Sequence, residues 1–131
     1  MIDDYFQTVL VVLQASPYVK SHNVTFDRRS LTAGYIRGDV YFLDDSLLHF
    51  REFVNTEAGL DRFTYVFHDQ QADGSFVFRY DNTGHYPDLD NFPHHQHVGD
   101  EDHALSSAAP DLARVIQEIE DRLISTAPLV S

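Results

Sequence analysis

At 131 residues the chain has the size of one domain, long enough to bury a hydrophobic core without covalent staples. It contains no cysteine, which excludes disulfides, thiolate metal sites and cysteine nucleophiles. The net charge of −12 ordinarily argues against a nucleic-acid partner, because phosphates repel a negative surface.

Residues 3–14 read as a helix, since Tyr5, Phe6, Val9, Leu10, Val12 and Leu13 recur at helical spacing. Ser16-Pro17 ends it, because the residue before a proline disfavours helical backbone. From about residue 19 to 82 the apolar period becomes two, with strands expected near 19–28, 33–43, 46–54, 62–69 and 75–82. Asp44-Asp45-Ser46 marks one turn and Asp73-Gly74 a hairpin, the latter because Asp-Gly tolerates positive φ. Links this short make successive strands antiparallel neighbours. Residues 83–107 read as a long, histidine-rich irregular connection. A second helix spans 110–124, opening on Pro110 and carrying the apolar stripe Leu112, Val115, Ile116, Ile119 and Leu123. The expected fold is α+β: an antiparallel sheet of about five strands with N-terminal and C-terminal helices covering one face.

Asp outnumbers Glu 16 to 5, and a single lysine, Lys20, stands beside eight arginines. Such a composition suits a cytosolic protein of a salt-loving cell, where molar salt shrinks the Debye length to about 3 Å and an acidic surface costs little self-repulsion. The other reading is an acidic face that mimics nucleic acid or docks a basic partner. The N-terminus opens on two aspartates and is continuously apolar only over Val9–Leu13. It therefore has neither the basic start of a secretory signal nor the length to cross a bilayer, and cytoplasmic location is expected.

Chemistry concentrates at the end of the fifth strand. Alternation places Phe76, Phe78 and Tyr80 on one face and Val77, Arg79 and Asp81 on the other. On the preceding strand Phe63, Tyr65 and Phe67 oppose Arg62, Thr64, Val66 and His68. If the aromatic faces meet as the core, Arg79, Asp81 and His68 occupy the more open face. Arg79 then either forms a surface ion pair or clamps an anion with its planar fork. Downstream, His94, His95 and His97 follow Pro93; in extended chain His95 and His97 share a side and His94 faces away. Imidazoles act as acid and base near neutrality, so His95 and His97 could exchange protons with a ribose 2′-hydroxyl and a 5′-oxygen. Arg79 or Arg51 would stabilise the phosphorane, and Asp81 or Glu52 would orient a histidine. His85, Asn82 and Tyr80 are the candidate substrate contacts. A competing site would bind a divalent metal through His85, His94, His95 and His97, with Asp81 or Asp100 adding oxygen. The bland alternative is a solvated histidine cluster. Glu52 lies on the stripe Leu48-Phe50-Glu52-Val54, where burial would raise its pKa; it is either catalytic or paired with Arg37 or Arg62. No phosphate-cradling glycine loop and no nucleophile elbow is present.

Three segments carry a family resemblance: FRYDN (Phe78–Asn82) with the following His85, FPHHQHVGD (Phe92–Asp100), and YIRGDVYFLDDSLLHFREFVN (Tyr35–Asn55). Over roughly Tyr35 to Pro110 the chain resembles the TumE family, whose members are toxins of prokaryotic toxin–antitoxin pairs. The FREF segment recurs there, which favours a functional Glu52. The resemblance implies a cognate antitoxin, often a helix-turn-helix DNA-binding protein encoded alongside. Joined to the His/Arg/Glu chemistry, it suggests a ribonuclease needing no cofactor. The alternatives are a non-catalytic protein-binding module docking through Tyr86 and Phe92, and a metal-dependent hydrolase on a small substrate. A homodimer through an exposed sheet face is compatible with either.

Overall fold

The computed structural model describes residues 1–82, 93–99, 104–106 and 109–126. Its elements are α1 (Ile2–Ala15), β1 (Val19–Arg28), β2 (Ala33–Phe42), β3 (Leu47–Asn55), β4 (Asp61–Gln70), β5 (Phe76–Asp81), β6 (His95–Val98), β7 (Ala104–Ser106) and α2 (Leu112–Thr126). The strands form one seven-stranded sheet in simple sequence order, and every neighbouring pair is antiparallel. The fold is thus the expected α+β arrangement of two terminal helices and an antiparallel sheet.

Local chemistry explains most boundaries. Ser16 leaves α1 in extended conformation (φ −83°, ψ 119°), as the following Pro17 requires. Asp45 turns at φ 65° between β2 and β3, and Gly74 at φ 85° between β4 and β5. The Gly74 turn closes through Gly74 N–H to Gln71 O at 2.8 Å and Gln71 N–H to Ser75 O at 2.9 Å.

Three expectations need correction. The 83–107 connection is not irregular throughout, since it contributes β6 and β7 to the sheet edge. Once β5 leaves an unpaired edge, the short run His95–Val98 satisfies it by adding a strand. The C-terminal helix starts at Leu112 rather than Pro110, because the Asp111 carboxylate accepts the Arg114 N–H at 2.8 Å and caps it. Finally, Phe63 does not share a face with Tyr65. A register shift between Phe53 and Val54 pairs Phe53 with Thr64 and Val54 with Arg62, so alternation inverts there and Phe63 is 51% exposed. Asn82 holds this bulge, accepting the Tyr65 N–H at 2.9 Å and donating to Phe63 O at 3.1 Å.

Both helices pack on one face of the sheet. Val9 and Leu13 of α1, and the whole α2 stripe from Leu112 to Leu123, join one cluster with Ile36, Val40, Phe50 and Phe67. Each such side chain contributes roughly 1.5–3 kcal/mol when fully buried. α1 approaches the sheet most closely at Gly34, where a Cβ would stand 2.5 Å from Phe6 Cζ and 2.8 Å from Ile2 Cγ1. Gly34→Ala is therefore expected to lower stability by about 1–3 kcal/mol through overpacking, measurable as a reduced urea midpoint; an unchanged midpoint would mean that α1 shifts freely.

Candidate functional site

Sheet register assembles the site. Reading across the strands, residues directly opposite one another form two rows on the face away from the helices. One runs Thr25, Arg37, Arg51, Val66, Asp81, His95, and the next runs Asn23, Asp39, His49, His68, Arg79, His97. Cross-strand partners stand about 4.5–5.5 Å apart at Cβ, so groups spread over 75 residues of sequence become neighbours.

At the β5–β6 end these rows form a tight polar cluster. Asp81 Oδ1 lies 2.7 Å from His95 Nε2 and Oδ2 lies 3.0 Å from Arg79 Nε. An Arg79 guanidinium nitrogen is 3.3 Å from His97 Nε2, which is itself 4.0 Å from Asp81 Oδ2. The two imidazoles meet edge to face, with centroids 4.9 Å apart. Protonation follows from the partners. His95 Nδ1 faces Pro93 O at 3.0 Å, a pure acceptor, so Nδ1 donates there, while Nε2 meets the Asp81 carboxylate. His97 Nε2 faces a guanidinium, a pure donor, so it accepts and its proton sits on Nδ1.

The expectation that Asp81 lies open to solvent is corrected. Asp81, His95 and His97 are only 3%, 2% and 1% exposed, whereas 28% of the Arg79 side chain is accessible. Arg79 is the tip of the cluster and the other three form its seat. The ligand atoms of Asp81, His95 and His97 lie within 4.8 Å of one another, as a metal site would need. Arg79, however, already supplies the positive charge among them, and a divalent ion would have to displace it.

The same row holds a group that sequence spacing concealed. His49 Nδ1 is 2.8 Å from Asp39 Oδ1, with 47% of the imidazole side chain exposed. Its Nε2 makes no hydrogen bond among the described residues. A carboxylate fixing one ring nitrogen and leaving the other basic is the arrangement general-base histidines use. Nothing local foretells it, because residues 39 and 49 sit on different strands and only the β2–β3 register pairs them.

Other predicted site residues lie on the helix side of the sheet. Glu52 is fully buried and accepts from the Tyr5 hydroxyl, which lies 2.8 and 3.0 Å from its two oxygens. Arg62 is its second partner at 3.4 Å, so Arg62, not Arg37, is the cation that pairs with it. Burial raises the Glu52 pKa, and the Tyr5 hydrogen bond and Arg62 pull it down. Arg62 also donates to Pro110 O and Ala109 O and lies over the Tyr65 ring, 4.7 Å from its centroid. Tyr65, pushed up to about 12 chiefly by burial, meets His94 Nδ1 at 2.8 Å. Desolvation, then the charges of Arg62 and His95, lower the pKa of His94. Tyr80 donates to Glu118 at 2.8 Å and accepts from Gln96 at 2.9 Å, which ties β5 and β6 to α2. Tyr80 and Asn82 thus spend their polar groups on architecture. Glu52, His94 and Tyr80 do not converge with Arg79. His85, Tyr86, Phe92 and Asp100 lie outside the described residues.

A family profile described as toxin TumE matches residues 9–123. The chain belongs to the TumE toxin family. The match extends well beyond the segments that carry the resemblance in the sequence. Membership implies an antitoxin partner in general terms. No curated protein and no solved structure matches the chain significantly. No helix among the described residues is long and apolar enough to cross a membrane.

Proposed function

We propose that this TumE-family toxin is a metal-independent ribonuclease working on the open face of its sheet. The observation that carries the reading is the row His49, His68, Arg79, His97, in which His49 faces His68 and His68 faces a seated guanidinium. His49, oriented by Asp39, removes the proton from a ribose 2′-hydroxyl. The oxygen attacks phosphorus, and Arg79 stabilises the phosphorane charge. The 5′-oxygen leaves with a proton from His68, giving a 2′,3′-cyclic phosphate and a free 5′-hydroxyl. His97, Asp81 and His95 are positioning residues that hold Arg79. This assignment moves the acid–base roles from His95 and His97, whose burial and hydrogen bonds suit them to support. No divalent ion is required, because Arg79 already occupies the cationic position.

The cognate antitoxin is proposed to be a basic, helix-turn-helix DNA-binding protein, complementary to an acidic chain. The Asp-rich surface is proposed to serve solubility in a salt-rich cytoplasm. Incubating the protein with total RNA at high salt, with and without chelator, tests the reading. Cleavage that survives chelation and leaves cyclic-phosphate ends is the expected result. Cleavage abolished by chelator would return the site to a metal at Asp81, His95 and His97. No cleavage by folded protein would favour the non-catalytic binding module.

A further inference from the structure

Arg37 and Arg51 stand directly opposite each other on β2 and β3, both exposed. Like charges in that position destabilise a sheet. The carboxylates of that face are otherwise engaged: Asp39 holds His49 at 2.8 Å and Asp27 holds Arg29 at 3.0 Å. Among the described residues neither Arg37 nor Arg51 makes an ion pair or hydrogen bond. In a chain with 21 acidic residues, two adjacent guanidinium groups thus stand without neutralisation among the described residues. Arg37 also borders two depressions, of about 330 and 190 Å³, which share Thr25.

Immediately beside the arginines runs an aromatic strip on the same face. Tyr35 and Phe53 have centroids 6.5 Å apart, and Phe53 and Phe63 5.6 Å apart. The β4 bulge is what turns Phe63 outward, 51% exposed. An aromatic strip that is half-buried at Tyr35 and Phe53 and exposed at Phe63, running alongside unneutralised arginines, matches the chemistry of single-stranded nucleic acid, with phosphates on guanidinium forks and bases stacked on rings.

We infer that the open face of β1–β4 is a binding track for single-stranded RNA: Arg37 and Arg51 grip its phosphates, and Tyr35, Phe53 and Phe63 stack its bases. The inference rests on the ribonuclease reading for its choice of RNA, and the track feeds the strand toward Arg79. A duplex, whose bases are stacked on each other, cannot use the aromatic strip. In molar salt the phosphate contribution is screened, and stacking carries the larger share.

The test is fluorescence anisotropy with a 2′-O-methyl oligoribonucleotide, which has no free 2′-hydroxyl to attack, titrated across a salt series and compared with its duplex. Wild type is expected to prefer the single strand. Arg37→Gln/Arg51→Gln should weaken binding and flatten the slope of log K against log salt by about 1.4, the share of two phosphates on a single strand. Phe63→Ala should weaken binding roughly 5- to 150-fold, the equivalent of one stacked base, without changing that slope. Circular dichroism checks that each variant folds. Wild-type affinity in both variants, equal affinity for the duplex, or no RNA binding at all would overturn the track. So would variants that keep RNA binding but lose the antitoxin, since the face would then be a protein interface. Binding without cleavage of the unmodified RNA would remove the ribonuclease reading and leave the track standing.

Discussion

Replacing Arg62 by alanine is expected to cost about 3–5 kcal/mol of stability, the effect of leaving a buried charge unpaired. Glu52 has no solvent contact, and the energetic problem of that site is its desolvation. Tyr5 of α1 and Arg62 of β4 solve it together, and Arg62 goes on to grip the two carbonyls that lead into α2. One carboxylate therefore fastens both helices to the sheet. Glu52→Gln keeps an acceptor for Tyr5 and removes the charge, so it should cost far less. Arg62→Ala made in the Glu52→Gln background should then lose most of its penalty. An equal cost in both backgrounds would mean that packing, not the Glu52 charge, explains the effect.

The pH dependence has a defined sign. The pKa of Glu52 is raised on folding from an ordinary 4.5, so the native state holds this proton to higher pH than the unfolded chain. Its contribution to stability is complete below about 4.5 and is lost as pH climbs through the raised folded value. Urea denaturation across that window should show wild type losing stability relative to Glu52→Gln as pH rises. Arg62→Ala removes an attraction that acts only on the charged carboxylate, so its cost should shrink at low pH. A difference between wild type and Glu52→Gln that stayed flat with pH would refute the linkage.

The largest expected effect on activity lies across the sheet. Arg79→Ala should lower kcat for RNA cleavage about 10²- to 10³-fold, the scale of losing one group that stabilises transition-state charge. His49→Asn should lower it about 10²- to 10⁴-fold, the scale of losing a general base. Asp39→Asn should fall between wild type and His49→Asn, because the imidazole remains but its orientation is lost. Asp81→Asn acts through Arg79, so it should reduce kcat with KM little changed. Single-turnover cleavage of a defined oligoribonucleotide separates these cases. Full activity in His49→Asn would transfer the base role elsewhere in the row, and full activity in Arg79→Ala would discard the cluster as the catalytic centre.

Periodicity written into the chain determined the two helices, the five longer strands and their antiparallel pairing. The alternation of Leu48, Phe50, Glu52 and Val54 already placed Glu52 inside, and the α2 stripe already named the core face of that helix. Alternation also put His95 and His97 on one side and His94 on the other. These features are legible because neighbouring residues along a strand or helix turn fix them. The tertiary structure decided the rest. The Phe63 bulge inverts alternation within β4, moving Arg62 beneath the helices and Phe63 to the surface, and no local pattern signals it. β6 and β7 exist because β5 offers an edge to pair with, a reason that lies outside their own short sequences. The Asp39–His49 contact and the Arg37–Arg51 pair depend on strand register, where a slip of one residue would turn each to the other face. Residue types supplied the chemistry that this protein has available, and register across the sheet decided which of those groups meet.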